Sequence, residues 1–100
     1  MTDKAALQQV FRRSPDIVAR QIAGEMILVP IRHNIGDLDS IFTLNETAAR
    51  VWALINEQKT LAEIHQQVLK EYDVPEQQLE QDILELVAAL EKLNILEEVE

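Results

Sequence analysis

Residues 40–55, SIFTLNETAARVWALI, join a short β-patterned run directly to an amphipathic helix. No other stretch constrains the fold as tightly. Side chains alternate along a strand, so Phe42 and Leu44 share one face and Ile41 and Thr43 the other. The Phe42–Leu44 face is the more apolar and is expected to meet the core. Asn45 is a good N-cap, because its side-chain oxygen can accept from a free N–H of the first turn. Glu46 follows where the helix dipole favours negative charge. The helix, about 46–57, places Ala48, Val51, Trp52 and Ile55 on one face, with Ala49 and Leu54 widening it. Trp52 reads as a core anchor, since its large apolar area is costly to expose.

Upstream, residues 1–14 form a flexible or weakly helical segment, with Leu7 and Phe11 four apart, broken at Ser14-Pro15. Residues 17–22 and 25–31 flank the turn Ala23-Gly24 and read as a hairpin. Pro30 cannot donate to a ladder and belongs at a strand end or open edge. Residues 32–39 form a polar connection containing Gly36.

Downstream, Thr60 to Glu63 is a T-x-x-E capping box that opens a second helix through Leu61, Ile64, Val68 and Tyr72. Asp73 and Pro75 close it and open a third helix, about 76–93. Leu79, Ile83, Leu86, Leu90 and Leu93 line that helix, with Leu84 and Val87 beside them. So wide an apolar arc suits burial on more than one side, or one flank left as a groove. Asn94 suits a left-handed cap; Ile95-Leu96 is extended and residues 97–100 form an acidic tail.

The order is thus β-β-β-α-α-α. It specifies an α+β domain over 15–96: a three-stranded antiparallel sheet followed by three helices, winged helix-turn-helix-like. Leu44, Trp52, Ile64, Ile83 and Leu90 are its expected core.

The net charge of −9 lies wholly in the second half, where twelve acidic residues face three basic ones. The third helix carries five acids and Lys92 alone. It repels phosphate, so Gln77, Gln78 and Gln81 cannot make it a base reader, and nucleic acid is not an expected partner. A basic partner, or simple solvation of the surface, accounts for the charge. Without cysteine there are no disulfides or thiolate sites. No apolar run is long enough to span a bilayer and no signal peptide is evident, so the expected location is the cytoplasm.

Chemistry-bearing constellations are equally sparse. His33 and His65 sit in different elements without metal-ligand spacing. Asp37 and Asp39 flank no calcium-loop pattern and suit turn formation. Gly24 and Gly36 make no phosphate loop. No catalytic residue, cofactor or metal is expected. What remains is backbone chemistry. A third strand at a sheet edge offers unpaired N–H and C=O groups to an extended peptide, with the third helix as one wall. The same edge can instead pair with a second copy or be covered by the N-terminal segment.

The runs DLDSIFTLNETAARVWALI, TLAEI and YDVPEQQLEQDILELVAALEKLNIL resemble the PqqD-like family over residues 15–96. The most diagnostic pieces are Leu44 to Ala48 leading to Val51-Trp52, and Asp82-Ile83. The resemblance implies a recognition element for ribosomally made, post-translationally modified peptides. It captures a precursor's leader peptide by strand addition and presents it to a modifying enzyme, often a radical-SAM protein. Carried onto this chain, Ser40, Ile41, Phe42 and Thr43 supply the strand edge, and Asp82, Glu85, Leu86 and Ala89 the helix wall. The alternative is a stand-alone protein–protein interaction or homodimerisation module.

Overall fold

The structure, a computed structural model, describes residues 4–31 and 42–99. The polar connection with His33, Gly36, Asp37 and Asp39, and also Ser40 and Ile41, lie outside the described residues. The elements run α1 (Lys4–Leu7), β1 (Val10–Arg13), β2 (Ile17–Ile22), β3 (Glu25–Pro30), β4 (Phe42–Leu44), α2 (Glu46–Leu54), α3 (Leu61–Glu71), α4 (Glu76–Lys92) and β5 (Leu96–Val99).

The three strands expected from the sequence form one antiparallel sheet in the order β2-β3-β4. Its hairpin closes through Ala23 and Gly24, with Ile22 opposite Glu25. Both turn residues have positive φ, 52° and 83°, as a two-residue type I′ turn requires. Gly24 adopts this freely, whereas Ala23 bears a steric cost of roughly 1–2 kcal/mol. Ala23→Asn gives the Asn-Gly pair favoured in this turn. It is expected to stabilise the fold by about 1 kcal/mol, raising Tm by roughly 4–8 °C in a thermal melt.

The helix starts follow their local signals, as does the end of α4, whereas α2 stops at Leu54, short of the expected 57, with Ile55 extended but still buried. Asn45 Oδ1 accepts from Ala48 N–H at 2.8 Å. Thr60 and Glu63 form the reciprocal capping box. Asn94 takes φ 62°. Ile95 N–H then donates to the Leu90 carbonyl and Asn94 N–H to that of Glu91, a Schellman closure that also seats Ile95 against the core.

Two further features differ from the sequence expectation. Residues 10–13 are a strand rather than a flexible or weakly helical stretch; only Lys4–Leu7 is helical. β1 pairs antiparallel with β5, Val10 opposite Val99 and Arg13 opposite Leu96. This second sheet buries Phe11 and takes up most of the expected acidic tail, with Arg12 bound to Glu97 at 2.7 Å. The pairing is between chain ends, so no local pattern signals it. The second difference lies on α4. Leu79, Ile83, Val87 and Leu90 face the core, while Leu93 is exposed and Leu86 only partly buried. The turns of a 3.6-residue helix align 79, 83, 87 and 90, and Leu86 falls on the flank.

All five expected core residues are buried. α2 is central, in contact with β3, β4, α3 and α4. Trp52, 4% exposed, is the largest side chain it contributes to that core, and the Arg13 guanidinium lies 5.5 Å from its ring centroid. His65 is buried on α3. Its Nε2 lies 3.0 Å from the Glu76 carbonyl. Because a carbonyl can only accept, that nitrogen carries the proton and ties α3 to the start of α4.

Arg50 on α2 holds Glu71 on α3 through two bonds, Nε to Oε1 at 2.6 Å and Nη2 to Oε2 at 2.9 Å, and Gln67 donates a third. These bonds, Arg50 first, lower the Glu71 carboxyl to about 2. A depressed carboxyl stabilises the fold above its unfolded value. That contribution is lost as pH falls from 4.5 towards 2. Glu71→Gln is therefore expected to flatten the fall of Tm over that acid window, measured against wild type by melts at stepped pH.

Candidate functional site

The β2-β3-β4 sheet leaves one edge of β4 without a strand partner among the described residues. β3 occupies its other side, with Met26, Ile27 and Leu28 opposite Leu44, Thr43 and Phe42. β1 does not take that edge, because it is paired with β5. An uncovered edge carries backbone N–H and C=O groups that seek partners.

A groove of about 380 Å³ opens between this edge, the first turn of α2 and one flank of α4. Its strand side is Phe42, Thr43 and Leu44. Its helix wall is Asp82, Glu85, Leu86 and Ala89, which recur at helical spacing along α4. Ile83 and Val51, both buried, close the bottom. Asn45, Thr47 and Ala48 form the α2 end.

Six of the eight residues singled out from the sequence therefore line one groove: Phe42, Thr43, Asp82, Glu85, Leu86 and Ala89. Ser40 and Ile41 lie outside the described residues. The sequence pattern does not single out the contribution of α2, because Asn45 and Ala48 are explained there by capping and burial. The strand-to-helix junction could have indicated it: a helix that starts where β4 ends must place its first turn at that strand's end.

The local sequence builds the wall. The core stripe fixes the rotation of α4, and Leu86 and Ala89 then face sideways, half-buried. Asp82 and Glu85 are exposed at the rim. Gln78 Nε2 donates to Asp82 Oδ1 at 2.8 Å and Gln81 Nε2 to Glu85 Oε2 at 3.0 Å. The groove thus pairs main-chain hydrogen-bonding capacity with an apolar interior and an acidic lip. Such a surface has the chemistry to accept an extended chain. Among the described residues, no group of three or more His, Asp or Glu is placed to hold a metal ion. No helix among them is long and apolar enough to cross a membrane.

A family model described as "Coenzyme PQQ synthesis protein D (PqqD)" matches residues 25–96. No curated protein matches the chain. Two solved structures share the fold. TbiB1, in complex with the TbiA(beta) leader peptide, is 27% identical with a TM-score of 0.67, over 86% of this chain and 94% of TbiB1. A lasso peptide synthetase B1, complexed with the leader peptide, is 28% identical with a TM-score of 0.69, over 87% of this chain and 96% of the synthetase chain.

Proposed function

The chain belongs to the coenzyme PQQ synthesis protein D (PqqD) family, and on that premise we propose that it captures the leader of a precursor peptide by strand addition to β4. The observation that carries this reading is the β4 edge, without a strand partner among the described residues, facing the half-apolar flank of α4 across one groove. Two proteins of similar fold and about the same length are complexes with leader peptides, which supports it. Ser40, Ile41, Phe42 and Thr43 are the proposed strand edge, and Asp82, Glu85, Leu86 and Ala89 the proposed wall.

In this reading the role is binding and presentation rather than catalysis. Main-chain bonds to β4 supply sequence-independent affinity. Alternate peptide side chains enter the groove and supply selectivity. A modifying enzyme, of the radical-SAM type or another, then acts on the presented precursor.

Isotope-edited NMR with synthetic leaders from short reading frames beside the gene tests the proposal. The amides of Thr43 and Leu44 and one flank of residues 79–90 are expected to shift. Leaders N-methylated at alternate residues, which cannot complete a ladder, are expected not to bind. Shifts confined to residues 68–73, or no shifts at all, would sink the proposal.

A second reading, self-association or docking of a folded protein, draws on the sheet's other face. Ile22 and Ile31 are 55% and 59% exposed, and alternation puts Ile22 on the side away from Leu28 and the core. Concentration-dependent mass in sedimentation, abolished by Ile22→Lys, would support it.

A further inference from the structure

We infer that the groove selects its peptide by charge: the strand it accepts carries a lysine or arginine at one inward position, two residues from an apolar inward neighbour. The inference rests on the peptide-binding reading above and specifies the class of peptide.

The α4 wall carries two carboxylates, Asp82 and Glu85, one turn apart and both exposed at the rim. Each is oriented by a glutamine four residues earlier. Neither meets a cation among the described residues. Two other carboxylates are held by cations, Glu71 by Arg50 and Glu97 by Arg12. Among the described residues, no lysine or arginine lines the groove. The first turn of α2 adds little positive field, because Asn45 Oδ1 occupies the Ala48 N–H and Glu46 sits beside it. Among the described residues the groove is therefore an apolar trough with an acidic lip on its α4 side.

The dimensions suit a two-residue repeat. Inward side chains of an added strand are spaced by roughly 7 Å. Asp82 and Leu86 are separated along α4 by about 6 Å. A strand residue opposite Leu86 finds an apolar surface. Its inward neighbour towards the start of α4 finds Asp82, with Glu85 beside it. A lysine or arginine there can lay its methylene stem along the trough and keep its charged head at the wet lip. An acidic residue in the same place meets two like charges. Because the lip is exposed and screened, the expected preference for Lys or Arg over Gln is modest, roughly 2- to 5-fold in Kd.

Selection from a random linear peptide library displayed on phage tests this, run in parallel on the wild-type protein and on the Asp82→Asn/Glu85→Gln variant. Both side chains are exposed, and matching thermal melts would show that the variant folds. Wild type is expected to enrich peptides with Lys or Arg two residues from an apolar residue and to deplete Asp and Glu there. The variant is expected to enrich the apolar residue without the basic one. In fluorescence anisotropy, changing the basic residue of a selected peptide to Gln should weaken wild-type binding by that factor. The effect should vanish in the variant and shrink with added salt. Selected peptides that bind the groove but are neutral or acidic, or a Gln change that costs nothing, would overturn the charge inference and leave peptide capture standing. Failure to enrich any peptide whose binding is lost on alternate N-methylation would overturn both.

Discussion

Ala89→Trp is expected to close the groove to peptides while leaving the fold intact. Ala89 is half-buried and lies two helical turns beyond Asp82, on the wall that faces β4. An indole there has no core to disturb, since the buried stripe of α4 runs through Leu79, Ile83, Val87 and Leu90 instead. The cost to the helix is limited to the propensity difference, under about 0.7 kcal/mol. The ring would occupy the trough where an inward peptide side chain is proposed to sit. Losing a central, desolvated contact of this kind weakens binding by about 2–4 kcal/mol, roughly 30- to 700-fold in Kd. Anisotropy with a bound peptide measures this, and circular dichroism verifies that helix content and Tm are retained. Unchanged affinity in a folded Ala89→Trp protein would place the peptide somewhere other than this groove.

The second large effect concerns stability. Trp52→Ala is expected to remove 3–5 kcal/mol or thereabouts, the range for large aromatic truncations in packed cores. A domain of this size is held by only about 5–15 kcal/mol in total. Trp52 is 4% exposed on the helix that touches β3, β4, α3 and α4. A cavity there cannot be filled by one element without disturbing another. The expected fall in Tm is roughly 12–40 °C. The variant lacks the chain's one tryptophan, so the melt is followed by far-ultraviolet circular dichroism. Removing Arg13, whose guanidinium only covers the ring from outside, should cost far less, about 0.5–1 kcal/mol. If the two variants melted alike, Trp52 would not be the anchor of the core.

The two residues illustrate how unevenly site and core are written in the chain. Trp52 is legible because its neighbours in sequence repeat at helical spacing and Asn45 marks where the helix starts. Ala89 is legible only through family resemblance. An alanine on a helix carries no pattern of its own, and its value comes from what lies across the gap. Leu86 shows the same limit from the other side. By spacing it reads as part of the continuous apolar face with Leu79 and Ile83, yet Val87 takes the core position and Leu86 the groove. Both are leucine-like in hydropathy, so sequence cannot choose between them. The rotation of α4 against α2 and α3 does.

The sequence by itself determined whatever depends on residues within about one turn of one another: the Asn45 cap, the Thr60–Glu63 box, the Asn94 closure and the Ala23-Gly24 hairpin. In each a side chain or a positive φ satisfies backbone groups nearby, and that requirement is the same in any fold. The tertiary structure alone decided two further things. It paired Val10–Arg13 with Leu96–Val99, a contact between chain ends whose residues carry no local mark of each other. That pairing commits the N-terminal strand elsewhere, so β4 meets no second strand among the described residues. It also set α4 beside β4 at a separation that leaves room. The junction at residues 42–46 was plain as a strand turning into a helix. That its open side faces an acidic-lipped groove depends on where two distant elements come to rest, and the packing of the shared core fixes that.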